Sequence, residues 1–305
     1  MSRSTFQLFD DDLGDGVRRV ADEELGQAIA ELRGQTDASR DAEVHEARKR
    51  CKRLRALLRL VRDQVGDEVY RRENVAIRDA SRRVSAVRDA QVLVSTLDDV
   101  VDDSDGAVDA AAVRDTRRAL KAAHSRLRQQ TLYRGSAGEQ AATELEAVRS
   151  RSREWPLDGI AFDDLRPGLT RVYRRGRKRM AQAYDDPAPE RFHEWRKRVK
   201  YLWHHLELLE PAWPGLISRL ASETHDLSDL LGDEHDRTVL LERLGERPDL
   251  LTDPDVARAL AGCIERQRER LRADAGPLGA RIYAEPPDVF VDRLATYWHA
   301  GRLAA

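Results

Sequence analysis

The sequence predicts an all-α protein. Asp, Glu, Arg, Ala and Leu dominate its 305 residues, and runs of β-branched residues are nearly absent, which favours helices over strands. Apolar residues recur at intervals of three and four through most of the chain, as on the buried face of an amphipathic helix. With 41% hydrophobic residues, the chain can bury a sizeable core in one large or two medium domains.

Turn residues divide the first half of the chain into successive helices. The periodic stretch 13–32 ends at Gly34, and Asp37 or Ser39 can cap the helix that follows. Residues 1–12 are expected to form an acidic, loosely ordered start. The further predicted segments are the helices 41–65 (closed by Gly66), 67–97 (with one break), 110–132 and 138–153, and the Asp-rich turn 98–109.

Proline residues mark helix starts and ends in the second half. The predicted helices there are 162–184, 192–209, 214–231, 235–244, 254–272 and 287–303. The segment WPLDG, residues 155–159, is the candidate junction. We therefore expect a first half of residues 1–150 and a second half of residues 160–305.

The helix predicted over 41–65 has an unusual row of cations. At 100° per residue, six basic side chains fall within an arc of about 100° beside the apolar face. These residues, called the basic row below, are His45, Arg48, Lys52, Arg55, Arg59 and Arg62. Between His45 and Arg62 no acid shares this face, whereas a solvated face usually mixes both signs. The row favours a polyanionic ligand, while the alternative for any single cation is surface solubility.

The same pattern recurs 148 residues later. His45–Leu60 and His193–Leu208 are identical at nine of sixteen positions, and the second copy repeats the row at His193, Arg196 and Lys200. Each copy is preceded by a helix and followed by a basic residue with an aspartate, at Arg88-Asp89 and His235-Asp236. Two halves of matching order predict two helical bundles of about four helices each, related by pseudo-twofold symmetry around a basic central groove.

A third basic cluster lies in the helix that precedes the second copy. Its segment RVYRRGRKR places Arg171, Arg174 and Lys178 on one face, with Arg175 at the flank. The corresponding helix of the first half is far less basic, so the groove is expected to be asymmetric.

These motifs resemble the CHAD family, the conserved-histidine α-helical domain. The matching segments are HEARKRCKRLR and RDAQV in the first half, and HEWRKRVKYL and LSDLLGDEHD in the second. The resemblance spans nearly the whole chain and implies two helical bundles around a basic cavity that binds inorganic polyphosphate, often at polyphosphate granules. Members often accompany a CYTH domain, but no β-rich segment occurs here, so the chain resembles a stand-alone member. Trp203 replaces Arg55 of the first copy, which leaves the width of the second row open.

Polyphosphate offers many negative charges and only acceptor oxygens, which suits the planar guanidinium fork of Arg and the compact charge of Lys. Many such contacts would make binding fall steeply with salt, as for nucleic acids. The candidate polyphosphate-binding residues are His45, Arg48, Lys49, Lys52, Arg55, Arg171, Arg174, Arg175, Lys178, His193, Arg196, Lys197 and Lys200.

The sequence allows two roles for each histidine and each aspartate of the motifs. His45 and His193 can donate an N–H to a phosphate, or they can order neighbours such as Glu46 and Glu194. Asp89 and Asp236 are expected to order a cation of the rows or to cap a helix.

Other functions are weighed against the same residues. Nucleic-acid binding through the basic rows is the alternative, but only 6% of residues are aromatic, and nucleic-acid binders usually add aromatic platforms or a reading helix. Hydrolysis of polyphosphate or triphosphates needs carboxylates that hold Mg²⁺, which the rows lack. The sequence therefore predicts a binding protein that is not an enzyme and has no cofactor and no metal site.

The sequence also bounds where the protein works. The start lacks the pattern of a signal peptide, no apolar run approaches about 18 residues, and Cys51 and Cys263 are too few for a disulfide framework. We expect a cytoplasmic protein, located at polyphosphate granules through the implied ligand, with granule proteins as partners and no membrane.

Overall fold

The structure is a computed structural model that describes residues 6–304. Within that range it contains eleven α-helices and no strand, which confirms the all-α prediction. The helices are α1 Leu13–Arg33, α2 Arg40–Leu60, α3 Arg62–Arg83, α4 Ser85–Asp102, α5 Arg114–Arg128, α6 Ala137–Ser152, α7 Phe162–Asp185, α8 Pro189–Leu209, α9 Pro214–Glu246, α10 Pro254–Ile282 and α11 Pro287–Ala304. None of these described helices is long and apolar enough to cross a membrane.

The start of α2 follows the local chemistry that the sequence predicts. Gly34 ends α1 in the left-handed conformation, with φ 70°, which a residue without a Cβ adopts at little cost. The Ser39 hydroxyl oxygen then accepts a hydrogen bond from the backbone N–H of Ala42 at 3.3 Å. This cap satisfies one of the free donors at the start of the helix that bears the basic row.

Two predicted helix boundaries were wrong. The helix predicted over 41–65 ends at Leu60, and α3 begins at Arg62 with a kink at Gly66, where φ is 81°. Arg62 therefore lies on a different helix from the rest of the basic row. The break predicted near Gly232 is also wrong, since α9 runs through it from Pro214 to Glu246.

Two polar-looking stretches are more ordered than predicted. Phe6 and Leu8 are buried in the core, and the Leu8 N–H donates to the carbonyl oxygen of Leu208 at 2.8 Å. The described part of the expected loose start, residues 6–12, is thus held by the second half; residues 1–5 lie outside the described range. The Asp-rich turn begins later than predicted, because α4 continues to Asp102.

Helices of the two halves share their cores. The larger apolar cluster contains side chains from α1, α2, α3 and α6 together with side chains from α7, α8, α9 and α11. A smaller one joins Leu97 and Val100 of α4 to Leu240 of α9 and Ile264 of α10. The pseudo-twofold relation and the boundary between residues 1–150 and 160–305 stay predictions.

Two buried contacts place the helices that bear the basic segments. The Nε2 atom of His205 on α8 donates to the carbonyl oxygen of Ala56 on α2 at 2.9 Å, and both residues are fully buried. On α7, Gly168 lies against Leu60 at the end of α2, so closely that a Cβ at position 168 would be 2.1 Å from the Leu60 carbonyl oxygen. These contacts bring α2, α7 and α8 together.

The Gly168 contact predicts a strong effect of one methyl group. Gly168→Ala should lower the free energy of unfolding by about 3 kcal/mol, because backbone must move away from backbone to admit the Cβ. The matched control is Gly245→Ala on α9, where a Cβ meets nothing within 4 Å; it should change stability by no more than about 1 kcal/mol, in the stabilising direction. Urea denaturation of both variants measures this, and equal stabilities would refute the close packing of α7 on α2.

Candidate anion-binding site

Basic side chains from α2, α4 and α8 converge near the place where α2 contacts α8. We name these residues the central cluster: Arg48, Lys52, Arg88, Arg196 and Lys200. The side chain of Lys52 is exposed to solvent along part of its surface, but many protein atoms surround it. The resulting loss of hydration, followed by the charges of Arg48 and Arg196, lowers its pKa to about 8. Burial, followed by the charges of Arg196 and Lys52, likewise lowers the pKa of Lys200 well below its ordinary value. The charges of the two sequence copies thus act on one another.

The cations of the central cluster have few partners. Neither Lys52 nor Lys200 makes a hydrogen bond or ion pair with any residue in the range 6–304, and the buried Nε of Arg196 has no hydrogen-bond partner there. Arg48 makes only long contacts, at 3.4 Å to the Asp89 carboxylate and 3.4 Å to the Ser81 carbonyl oxygen. Since cations are normally paired when they are crowded, the cluster is poised for an added anion.

Two aspartates sit beside these cations, as the sequence predicts. Asp89 contacts Arg48. The carboxyl of Asp236 is partly buried, and burial raises its pKa even though Arg196 and Lys200 act in the opposite direction. Both acids therefore face cations of the central cluster, and Asp229 and Asp233 also act on Arg196.

The two motif histidines occupy different surroundings. His193 packs its ring on that of His235 with the centroids 4.2 Å apart, and its Nδ1 is buried without a hydrogen-bond partner in the described chain. His45 is more exposed, with its Nε2 atom 3.9 Å from Glu46. The pKa of each is lowered, mainly by burial and next by a neighbouring cation, Lys197 for His193 and Arg88 for His45. Both imidazoles are thus neutral at pH 7 and can each donate one N–H.

The flanking lysines are partly neutralised. Lys49 lies 3.7 Å from Glu46, and Lys197 forms an ion pair with Glu194. Both pairs join residues three apart on one helix, a surface geometry that contributes little to stability and breaks at low cost. These lysines can therefore turn from their acids toward a stronger anion.

A second basic group lies further along α2. We name it the arginine pocket; its lining residues are Arg59, Arg62, Tyr70, Arg171, Val172, Arg175 and Arg198. Arg55 adjoins this pocket, since Arg55 and Arg59 both donate to the Asn74 side-chain oxygen, at 3.0 and 3.2 Å. Arg171 and Arg175 from the third basic cluster thus meet the end of the basic row.

The structure does not unite all the predicted residues. Arg174 and Lys178 are exposed on α7 and make no hydrogen bond or ion pair with residues 6–304. They line neither basic group described above, so their role in binding stays a prediction without a supporting contact.

Sequence reasoning left several of these residues out of the predicted site. Arg88 was present in the repeated Arg88-Asp89 motif, which could have identified it. Arg198 and Tyr70 had no comparable pattern, because Arg198 lies off the face of the row and Tyr70 belongs to α3, which has no basic periodicity. Only the packing of α3 and α8 against α7 reveals them.

Across residues 6–304, no group of three or more His, Cys, Asp or Glu side chains is arranged to hold a metal ion. The pair formed by His225 Nδ1 and Asp229 is 3.2 Å apart and stands without a third such side chain in that range.

The chain is similar to a known protein family over the part that contains these two basic groups. A family model described as the CHAD domain matches residues 19–245, from α1 through α9. This range contains every residue of the central cluster and of the arginine pocket. No curated protein matches the chain.

The crowded charge of Lys52 predicts a pH-dependent effect on stability. Its pKa of about 8 in the folded chain lies below the ordinary 10.5, so the unfolded chain binds more protons between these values and stability rises with pH in that window. Lys52→Gln should therefore be more stable than the wild type at pH 7, with an advantage that shrinks by pH 10.

Chemical denaturation at the two pH values measures the effect, with Lys121→Gln on the exposed side of α5 as the control. If Lys52→Gln is no more stable than the wild type at pH 7, or if its stability advantage is the same at pH 7 and pH 10, then the charge of Lys52 does not destabilise the folded chain.

Proposed function

The chain belongs to the CHAD domain family, and we propose that it binds inorganic polyphosphate at the central cluster without converting it. CHAD domains are linked to polyphosphate binding in general. One observation supports the proposal most strongly for this chain. Lys52 and Lys200 come from different helices, act on each other electrostatically, and have no hydrogen-bond or ion-pair partner among the described residues.

The physical case rests on unbalanced like charge. Five cations crowd together beside the acids Asp89, Asp229, Asp233 and Asp236, yet burial and neighbouring cations keep the pKa values of Lys52 and Lys200 lowered, and a polyanion would relieve that repulsion. A cleft lined by one sign of charge also concentrates ligands of the other sign. The cations come from α2, α4 and α8, so a flexible polyanion can contact several of them at once. Inorganic polyphosphate has these properties and only acceptor oxygens, which match the Lys and Arg donors.

The proposed role is binding rather than catalysis. Metal-assisted hydrolysis of a phosphoanhydride requires carboxylates that hold the metal against the phosphates. Here the carboxylates beside the cluster act on its cations: Asp89 contacts Arg48, and Asp229 and Asp236 both act on Arg196 and Lys200. These contacts support a role for the acids in ordering the cations. Phosphate release from polyphosphate with Mg²⁺ or Mn²⁺ present would argue for an enzyme instead.

Location at polyphosphate granules, in contact with granule proteins, belongs to the same proposal. A granule presents a dense polyphosphate surface, so a protein with this affinity would concentrate there by mass action. Cosedimentation with purified granules, lost on mild salt washing, is the expected behaviour.

Removal of the two unpartnered lysines should weaken polyphosphate binding. For Lys52→Gln/Lys200→Gln we expect affinity to fall at least about tenfold, since hydrogen bonds to charged groups each contribute about 1.5–3 kcal/mol. The slope of log affinity against log salt should fall by about 1.4, at about 0.7 per lost contact on a single-stranded polyanion. Fluorescence anisotropy with labelled long-chain polyphosphate at several salt concentrations measures both quantities.

The control for this experiment matches the loss of charge. Lys121→Gln/Arg126→Gln removes two exposed cations from α5 and should retain nearly the wild-type affinity. An equal loss in both double variants would mean that net charge, and not the central cluster, governs binding. Single- and double-stranded DNA, compared at equal charge concentration, should bind more weakly; equal or tighter DNA binding would favour the nucleic-acid alternative.

A further inference from the structure

The arginine pocket differs from the central cluster in shape and composition. Its five arginines come from the end of α2, from α3, from α7 and from α8, and they line a narrow pocket that is partly open to solvent. No carboxylate lines the pocket among the described residues.

The carboxylates that contact these arginines belong to neighbouring residues outside the lining. Arg62 pairs with Asp67 at 2.8 Å and Arg171 with Asp63 at 2.7 Å. Since Asp63 and Asp67 are exposed residues of α3, they orient the two guanidinium groups without filling the pocket.

The other arginines of the pocket are held more weakly or not at all. Arg198 reaches Glu194 only at 3.4 Å, and its buried Nε has no hydrogen-bond partner within residues 6–304. Arg175 has no hydrogen bond or ion pair in that range. Donors with no internal partner are therefore left for a ligand.

Aromatic rings fix two of the guanidinium groups. Arg59 packs over the ring of Tyr201 at 4.1 Å, and Arg62 over the ring of Tyr70 at 4.7 Å. Arg59 also donates to the carbonyl oxygen of Arg55 at 2.6 Å. Planar stacking positions these forks before any ligand arrives, which reduces the ordering cost of binding.

Like charge accumulates in this small space. Burial, followed by the charges of Arg198 and Arg171, lowers the pKa of Arg175, and burial also lowers the pKa of Arg59. The guanidinium groups nevertheless stay charged at all ordinary pH values. The pocket is thus a fixed concentration of positive charge.

We propose that the arginine pocket is a second, separate site that binds one terminal phosphoryl group, either the end of a polyphosphate chain or a small compound such as pyrophosphate. A terminal phosphoryl group bears nearly two negative charges at pH 7 and three acceptor oxygens, whereas an internal phosphate of the chain bears about one charge. A compact pocket with several arginine forks selects the first. This site uses other side chains than the central cluster, so it stands even if the proposed polyphosphate binding at that cluster fails.

The test compares short-chain polyphosphate of defined length with the same chain whose terminal phosphates are capped by neutral esters. Wild-type protein should bind the free-ended chain about tenfold more tightly than the capped chain. Arg175→Gln should abolish this preference, because it removes the arginine of the pocket that has no hydrogen bond or ion pair among residues 6–304. Arg177→Gln, an exposed arginine on the same helix outside the pocket, should retain the preference.

Two further arms separate the possible outcomes. Lys52→Gln/Lys200→Gln should weaken both chains and keep their ratio, since it changes only the central cluster. Pyrophosphate and inorganic phosphate, titrated by calorimetry, test a small ligand independently of any chain binding, and their heats should disappear in Arg175→Gln. If polyphosphate chains do not bind but pyrophosphate still does, the proposed function is overturned and the arginine pocket remains a site. Equal binding of capped and free chains, together with no Arg175-dependent binding of pyrophosphate or phosphate, would overturn the arginine pocket as a site.

Discussion

Repulsion between like charges is the constraint that the rest of this structure must satisfy. Lys52 on α2 and Lys200 on α8 have lowered pKa values, and these shifts record a cost in stability that comes first from burial and then from neighbouring cations such as Arg196. The shared apolar core offsets this cost, because side chains of both halves enter it. The His205–Ala56 hydrogen bond and the Gly168–Leu60 contact then hold the helices in place. The crowded cations thus lower stability at the site proposed for binding, which is a common compromise at functional sites.

The two basic groups are arranged along one helix. Lys52 and Arg59 are seven residues apart on α2, or about 10 Å at 1.5 Å per residue, and Arg55 lies between them. The central cluster is open to solvent at Lys52 and contains lysines, which suit a mobile chain with many weak contacts. The arginine pocket is compact and its guanidinium groups are stacked on tyrosines, which suits one strongly charged group. A single polyanion lying on α2 could occupy both, with its length on one and its end in the other.

The sequence predicts the parts of this arrangement that depend on local periodicity. The all-α class, the Ser39 cap of α2 and the face shared by Arg48 and Lys52 all follow from patterns within one helix. The repeat correctly identified α8 as the second basic helix, because a helical face is preserved when the pattern is copied. What depended on packing could not be obtained this way. The end of α2 at Leu60 placed Arg62 on another helix, and no pattern indicated that Arg198 would meet Arg175.

The proposed function requires that Lys52 and Lys200 face one bound polyanion. The chain has only six lysines, so selective labelling of their side chains for NMR resolves each one, and a pH titration gives its pKa with and without long-chain polyphosphate. We expect the side-chain resonances of Lys52 and Lys200 to shift together at the same ligand ratio. We also expect the pKa of Lys52 to rise from about 8 on binding, while the Lys121 resonance does not change. Binding that leaves the Lys52 and Lys200 resonances and the Lys52 pKa unchanged would contradict the proposed function.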